Sequence, residues 1–158
     1  MNLLSFDNVL QDPTYYVSEI YLYGFQDVAD GQHVFRNIQP RGSHDDFAKY
    51  LSKLFPNYKV EFNFVRRSPL NQEEPNFIHT DEMMGEITCI LYLNEDAPKD
   101  DGTTIYDENQ EPIFTMYSKF NRMIAFNSDS PHSRNLFENF GKGESARLIQ
   151  VAFLKYKK

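Results

Sequence analysis

A chain of 158 residues with 41% apolar and 15% aromatic content is long enough for one core and too short for two. Its formal net charge of −7 includes no run of Lys or Arg longer than two, which disfavours nucleic acid as a partner. A single cysteine, Cys89, excludes a disulfide framework, no stretch approaches roughly 18 apolar residues, and the first residues lack a secretory pattern, so a soluble cytoplasmic domain with no membrane partner is expected.

Asp12-Pro13 ahead of TYYVSEIYLY and Gly24 supplies a cap, a first-turn proline and a closing glycine, which predicts a helix over 13–23. A short strand is expected at 34–38. Ser43 then reads as the N-cap of an amphipathic helix from about residue 44 to 55, with Asp45 and Asp46 in its first turn. Residues 59–67 (KVEFNFVRR) alternate polar and apolar, the pattern of a half-buried strand. A polar loop with two prolines (68–76) follows. The apolar run 87–93 reads as a central strand, and further short strands are expected at 103–106, 113–117, 122–126 and 146–154. Their regular spacing suggests a sandwich or barrel. The chain therefore reads as one domain over 1–158, with helical support over 1–58 and a mainly antiparallel β core over 59–156.

His79-Thr80-Asp81 carries the chemistry. On an extended backbone, residues two apart share a face, so His79 and Asp81 can hold one cation, half of a two-histidine, one-carboxylate facial triad. About 0.3 such His-x-Asp triplets are expected by chance in this composition, so the surroundings must add weight. The second triplet, His44-Asp45-Asp46, opens a helix, where residues two apart diverge. His44 is thus read as a surface residue, as is His33. His132, the only histidine downstream of His79, follows the strand RMIAF and an SDSP turn and supplies the third ligand. Arg147, in the last strand, shares a face with Ile149, Val151 and Phe153, and its fork suits a carboxylate. A charge on such a face calls for a partner. Arg134 is its rival, able to take an anionic substrate or the co-substrate. Of Arg66 and Arg67, one is expected to face the pocket. Met83 and Met84 are read as core packing rather than a lid.

The ordered set His79-x-Asp81, TCILYLNED, DGTTIY, His132 and ARLIQVAFL resembles the Fe(II)- and 2-oxoglutarate-dependent dioxygenases, in particular the prolyl 4-hydroxylase-like branch, over residues 60–154. Tyr92-Leu93-Asn94 matches a family triplet. The G-G-x-x-x-F/Y element is matched with Asp101 in place of its first glycine, and the spacing from His132 to Arg147 is longer than in the family. The resemblance implies a double-stranded β-helix of jelly-roll, cupin-like type. It implies His79, Asp81 and His132 as Fe(II) ligands, and Arg147 with Tyr92 as the clamp for 2-oxoglutarate. O2 is the oxidant and ascorbate a reductant. An Asp at position 81, where related halogenases carry a small residue, favours hydroxylation. The implied activity is hydroxylation of an amino acid, a peptide side chain or another small polar substrate, with release of succinate and CO2. The alternative is a cupin-like module that binds a metal or ligand without turnover. Arg147 and Tyr92 separate the two, since a bare metal site needs no dicarboxylate clamp.

Overall fold

The computed structural model describes residues 3–136 and 138–158. Two antiparallel sheets face each other, as in a double-stranded β-helix. The major sheet contains β1 (Leu3–Phe6), β2 (Gln26–Asp30), β3 (His33–Pro40), β4 (Tyr58–Ser68), β5 (Ile87–Tyr92), β8 (Arg122–Asn127) and β10 (Arg147–Tyr156). Their spatial order is β1-β8-β5-β10-β4-β3-β2. The minor sheet is β7 (Pro112–Tyr117), β6 (Gly102–Tyr106) and β9 (His132–Arg134), in that order. Two helices, α1 (Pro13–Tyr23) and α2 (Asp46–Leu54), complete the framework.

Strand alternation divides the core in two. From β10, Leu148, Ala152 and Leu154 turn outward and join Val65, Cys89 and Leu91 against Tyr16, Ile20, Phe47 and Leu51 of the helices. Ile149 and Val151 turn inward, where Ile90, Tyr92, Ile124 and Phe126 meet Ile105 and Met116 of the minor sheet. Burial of this kind contributes roughly 1.5–3 kcal/mol for each large side chain. Gly102 opens β6 where it pairs closely with β7 of the same minor sheet. A Cβ there would lie 2.2 Å from the Met116 carbonyl oxygen, so only glycine fits.

Helix α1 starts where expected, with the Asp12 carboxylate accepting from the Tyr15 amide and Gly24 closing it at φ +77°. Helix α2 does not use Ser43. Its N-cap is Asp45, whose side chain makes no capping bond and turns into the protein instead. Asp45 Oδ1 accepts from the Tyr16 hydroxyl at 2.7 Å and from Arg41 Nε and Nη2 at 2.9 and 2.7 Å. Its Oδ2 accepts from Gln150 Nε2 at 2.9 Å. Burial opposes ionisation of Asp45, but Tyr16, Arg41 and Gln150 outweigh it and hold the carboxyl below its usual range. A depressed carboxyl pKa adds stability above the unfolded value and loses it as pH falls through the folded value, so this contribution disappears in acid. Asp45→Ala leaves Arg41 and Gln150 without their anion and should cost about 3–5 kcal/mol, read as a lower midpoint in urea unfolding at neutral pH. The wild-type advantage should narrow as pH falls into the carboxylate range.

The segment before Tyr58 contributes three strands as well as the two expected helices, because β2, β3 and β1 extend opposite edges of the major sheet. The segment around 138–145 is a loop ending in a 3-10 turn at Gly143–Ser145. Gly141, at φ +72°, brings this loop so close to the Ser145 carbonyl that a Cβ would clash. Met83 is 93% exposed, which overturns its assignment to the core. It lies in a turn, where no apolar layer passes over it.

Candidate metal and anion site

Three chain segments deliver the ligands. The stretch around His79 lies beside β9 through paired backbone bonds, His79 N to His132 O at 3.0 Å and His132 N to His79 O at 2.9 Å. Asp81 is set by its amide donating to Ser128 O at 2.8 Å. His79, Asp81 and His132 thereby place one ligand atom each within 4.8 Å of one another. His132 Nε2 is 3.0 Å from Asp81 Oδ2, and His79 Nε2 is 3.5 Å from Asp81 Oδ1.

The ring orientations follow from the backbone. His79 Nδ1 is 2.9 Å from the Phe77 carbonyl and His132 Nδ1 is 2.9 Å from the Ser130 carbonyl. A carbonyl oxygen only accepts, so both Nδ1 atoms carry a proton, and in the neutral imidazole each Nε2 is then the atom with the lone pair to give a metal. Two imidazole lone pairs and a carboxylate oxygen converge, an arrangement that a shared cation stabilises. The donor set fits a first-row divalent metal such as Fe(II), and carbonyl-anchored Nδ1–H groups are the usual support for such ligands. His132 is buried against the Phe126 ring, with centroids 4.7 Å apart, whereas His79 stands at the rim, its side chain 40% exposed. The triad is therefore approachable from the His79 side. The Thr88 hydroxyl, shared with Ser128, reaches Asp81 at 3.4 Å and helps orient it.

A second group of charges lies deeper between the sheets. Arg147 pairs with Ser68 across β10 and β4, while Ile149 pairs with both Arg66 and Tyr92, so Arg66, Arg147 and Tyr92 line the inner face. Arg134, from β9, approaches from the minor sheet. Two carboxylates stand among these guanidinium groups. Glu74 Oε1 is 2.6 Å from Arg134 Nη1 and Glu74 Oε2 is 3.5 Å from Arg66 Nε. Asp101 Oδ1 is 3.5 Å from Arg147 Nε, and neither atom has a hydrogen-bond partner among the described residues. Arg147 is 4% exposed, and a buried guanidinium with an orphaned nitrogen calls for an anion. Burial, reinforced by the charge of Arg147, pushes Arg134 down to about 10, and burial likewise lowers Arg66. Tyr92 shares a 2.7 Å hydrogen bond with Thr103, and burial raises its hydroxyl pKa.

The expected site residues divide accordingly. His79, Asp81 and His132 come together, and Tyr92, Arg147, Arg134 and Arg66 form a neighbouring cage. Arg67 points away, donating to the Gly143 carbonyl beside the Phe25 ring. His44 and His33 are exposed, and neither belongs to the His-Asp-His cluster. Glu74, Asp101 and Thr103 were missed as site residues. Asp101 was visible in the sequence as a departure from a glycine pattern; nothing distinguished Glu74 from Glu73. A separate groove of about 660 Å3 is lined by Phe55, Tyr58, Ile87, Phe126, Glu82 and Asp129 among others, and contains neither the triad nor the arginines.

No protein-family model matches the chain, and no curated protein sequence is similar to it. Solved structures with the same fold include 2-oxoglutarate-Fe(II) oxygenases. A Trichoplax adhaerens prolyl hydroxylase, solved with a hypoxia inducible factor peptide, is 16% identical with a TM-score of 0.66, covering 96% of this chain and 82% of that one. A Pseudomonas putida prolyl-4-hydroxylase is 12% identical with a TM-score of 0.65, covering 99% and 92%. The epimerase SnoN, in complex with Fe3+, alpha ketoglutarate and nogalamycin RO, is 14% identical with a TM-score of 0.64, covering 96% and 78%. No helix among the described residues is long and apolar enough to cross a membrane.

Proposed function

We propose that this chain is an Fe(II)- and 2-oxoglutarate-dependent oxygenase that hydroxylates an amino acid, a peptide side chain or another small polar molecule. The observation that carries the reading is the coexistence, between two sheets of this fold, of a His-Asp-His triad and a buried arginine that lacks a hydrogen-bonded anion. A metal-binding module accounts for the first and leaves the second without a purpose.

In this reading His79, Asp81 and His132 hold the iron, which supplies the activation of O2 coupled to oxidative decarboxylation of 2-oxoglutarate. Arg147 receives the far carboxylate of the co-substrate, with Tyr92 and Thr103 as hydroxyl neighbours at the same end of the pocket. The Phe77 and Ser130 carbonyls keep both imidazoles in the ligating tautomer. The rim at His79 leaves one side of the site for the substrate to enter. Ascorbate is the reductant expected to sustain turnover. The cytoplasmic setting belongs to the same reading, consistent with Cys89 being buried and unpaired, its thiol pKa pushed up by burial.

The protein supplied with Fe(II), ascorbate, O2 and 2-oxoglutarate should release succinate slowly even without a substrate, and chelation of the metal should stop it. Metal binding without any succinate above a His132→Ala control would instead favour the module without turnover.

A further inference from the structure

The arginine cage contains three guanidinium groups and two carboxylates among the described residues, which leaves one positive charge. We propose that Glu74 is a positioning residue that sets this charge, holding Arg134 and Arg66 so that the cage accepts one monoanionic carboxylate and rejects dianions such as sulfate. The inference rests on the reading of the cage as the co-substrate pocket and specifies its charge selectivity.

Glu74 is built into its place. Its side chain is 6% exposed, and besides the two arginines it accepts from Ser68 Oγ at 3.1 Å and Gln72 Nε2 at 3.0 Å. The loop that carries it is tied down on several sides. The Leu70 amide donates to the Gly141 carbonyl at 2.8 Å, Asn139 Nδ2 to the Gln72 carbonyl at 2.7 Å, and Asn37 Nδ2 to Gln72 Oε1 at 2.6 Å. Glu74 is therefore a fixed counter-charge and not a side chain that happens to lie near a cation. Arg134 receives a short contact from it and is committed, whereas Arg66 stands 3.5 Å away without a hydrogen bond at its Nε. Arg147 faces only Asp101, at 3.5 Å and without a hydrogen bond, and so has donors to spare. The internal acids thus occupy Arg134, leave unpartnered guanidinium nitrogens on Arg147 and Arg66 for an incoming carboxylate, and leave no second net positive charge for a dianion.

Removing a unit charge about 6 Å from the bound anion, at an effective dielectric of about 20, changes binding by up to about two orders of magnitude for each unit of anion charge, and by less where salt screens it. The test is calorimetric titration of sulfate into the full-length chain, with metal removed by chelator, at low and constant ionic strength. Glu74→Gln should bind sulfate at least about tenfold more tightly than wild type, while Glu74→Asp, which keeps the charge, should stay within about threefold of wild type. The double variant Glu74→Gln/Arg134→Gln restores the original charge and should return to wild-type affinity. If Glu74→Gln is too unstable to purify, Asp101→Asn makes the same charge change and should show the same gain. Equal sulfate affinity in wild type and the neutral variant, or an equal gain in Glu74→Asp, overturns the inference. The co-substrate reading fails separately. If the neutral variant gains sulfate and, once loaded with Fe(II) under anaerobic conditions, does not release it to 2-oxoglutarate, the charge inference stands and the identity of the ligand is wrong.

Discussion

Alanine at His79, Asp81 or His132 should each abolish tight Fe(II) binding. The three ligand atoms lie within 4.8 Å, so each substitution removes one of three protein donors. Loss of a residue that merely supports a ligand already costs about 10–100-fold in metal affinity, so loss of a ligand should exceed about 100-fold. The effect on stability should differ among the three. His132 is buried against Phe126 and bonded to the Ser130 carbonyl, so its removal should also cost about 1–3 kcal/mol. His79 stands at the rim and should cost much less. Anaerobic Fe(II) titration, with circular dichroism to establish folding, checks both statements. His44→Ala and His33→Ala should be silent. Loss of metal in His44→Ala would mean that the wrong His-x-Asp triplet had been assigned.

Arg147→Ala should weaken 2-oxoglutarate binding by about one to three orders of magnitude, at roughly 1.5–3 kcal/mol for each charged hydrogen bond lost. Fe(II) affinity without co-substrate should remain near wild type. Arg134→Ala should have the smaller effect, because Arg134 already holds Glu74 at 2.6 Å whereas Arg147 has no hydrogen-bonded acid. Isothermal titration of 2-oxoglutarate into the metal-loaded variants measures the ranking. If Arg134→Ala loses the co-substrate and Arg147→Ala keeps it, Arg134 is the clamp.

Strong local signals made much of the fold legible in the sequence. Asp12, Pro13 and Gly24 act within a single helix, so α1 could be delimited without knowing anything else about the chain. Strands β4, β5 and β8 carry enough apolar residues to be recognised, with ends within about one residue of those observed. Strand β1 was not recognised because LLSF is four residues long and its partner β8 lies over a hundred residues away. Strand β2, QDVAD, is an exposed polar edge without an apolar face.

The site divides along the same line. The His-Asp-His cluster was legible because His79 and Asp81 lie two residues apart on one extended stretch and His132 had no rival downstream. Arg66 could be separated from Arg67 only by register, since its pairing with Ile149 fixes which face it occupies. Asp45 was read as a helix-start acid because three of its four partners, Tyr16, Asn63 and Gln150, come from distant segments, and only Arg41 is local. Glu74 and Asp101 act through contacts across the fold in the same way, and no local pattern encodes them.

The most direct test of the account is an anaerobic titration of 2-oxoglutarate into the Fe(II)-loaded protein, followed by visible absorption. The account predicts a weak charge-transfer band that saturates with co-substrate, is absent from Asp81→Ala, and requires much higher 2-oxoglutarate in Arg147→Ala. A flat spectrum from folded, iron-loaded wild-type protein, with no heat of 2-oxoglutarate binding, would contradict it.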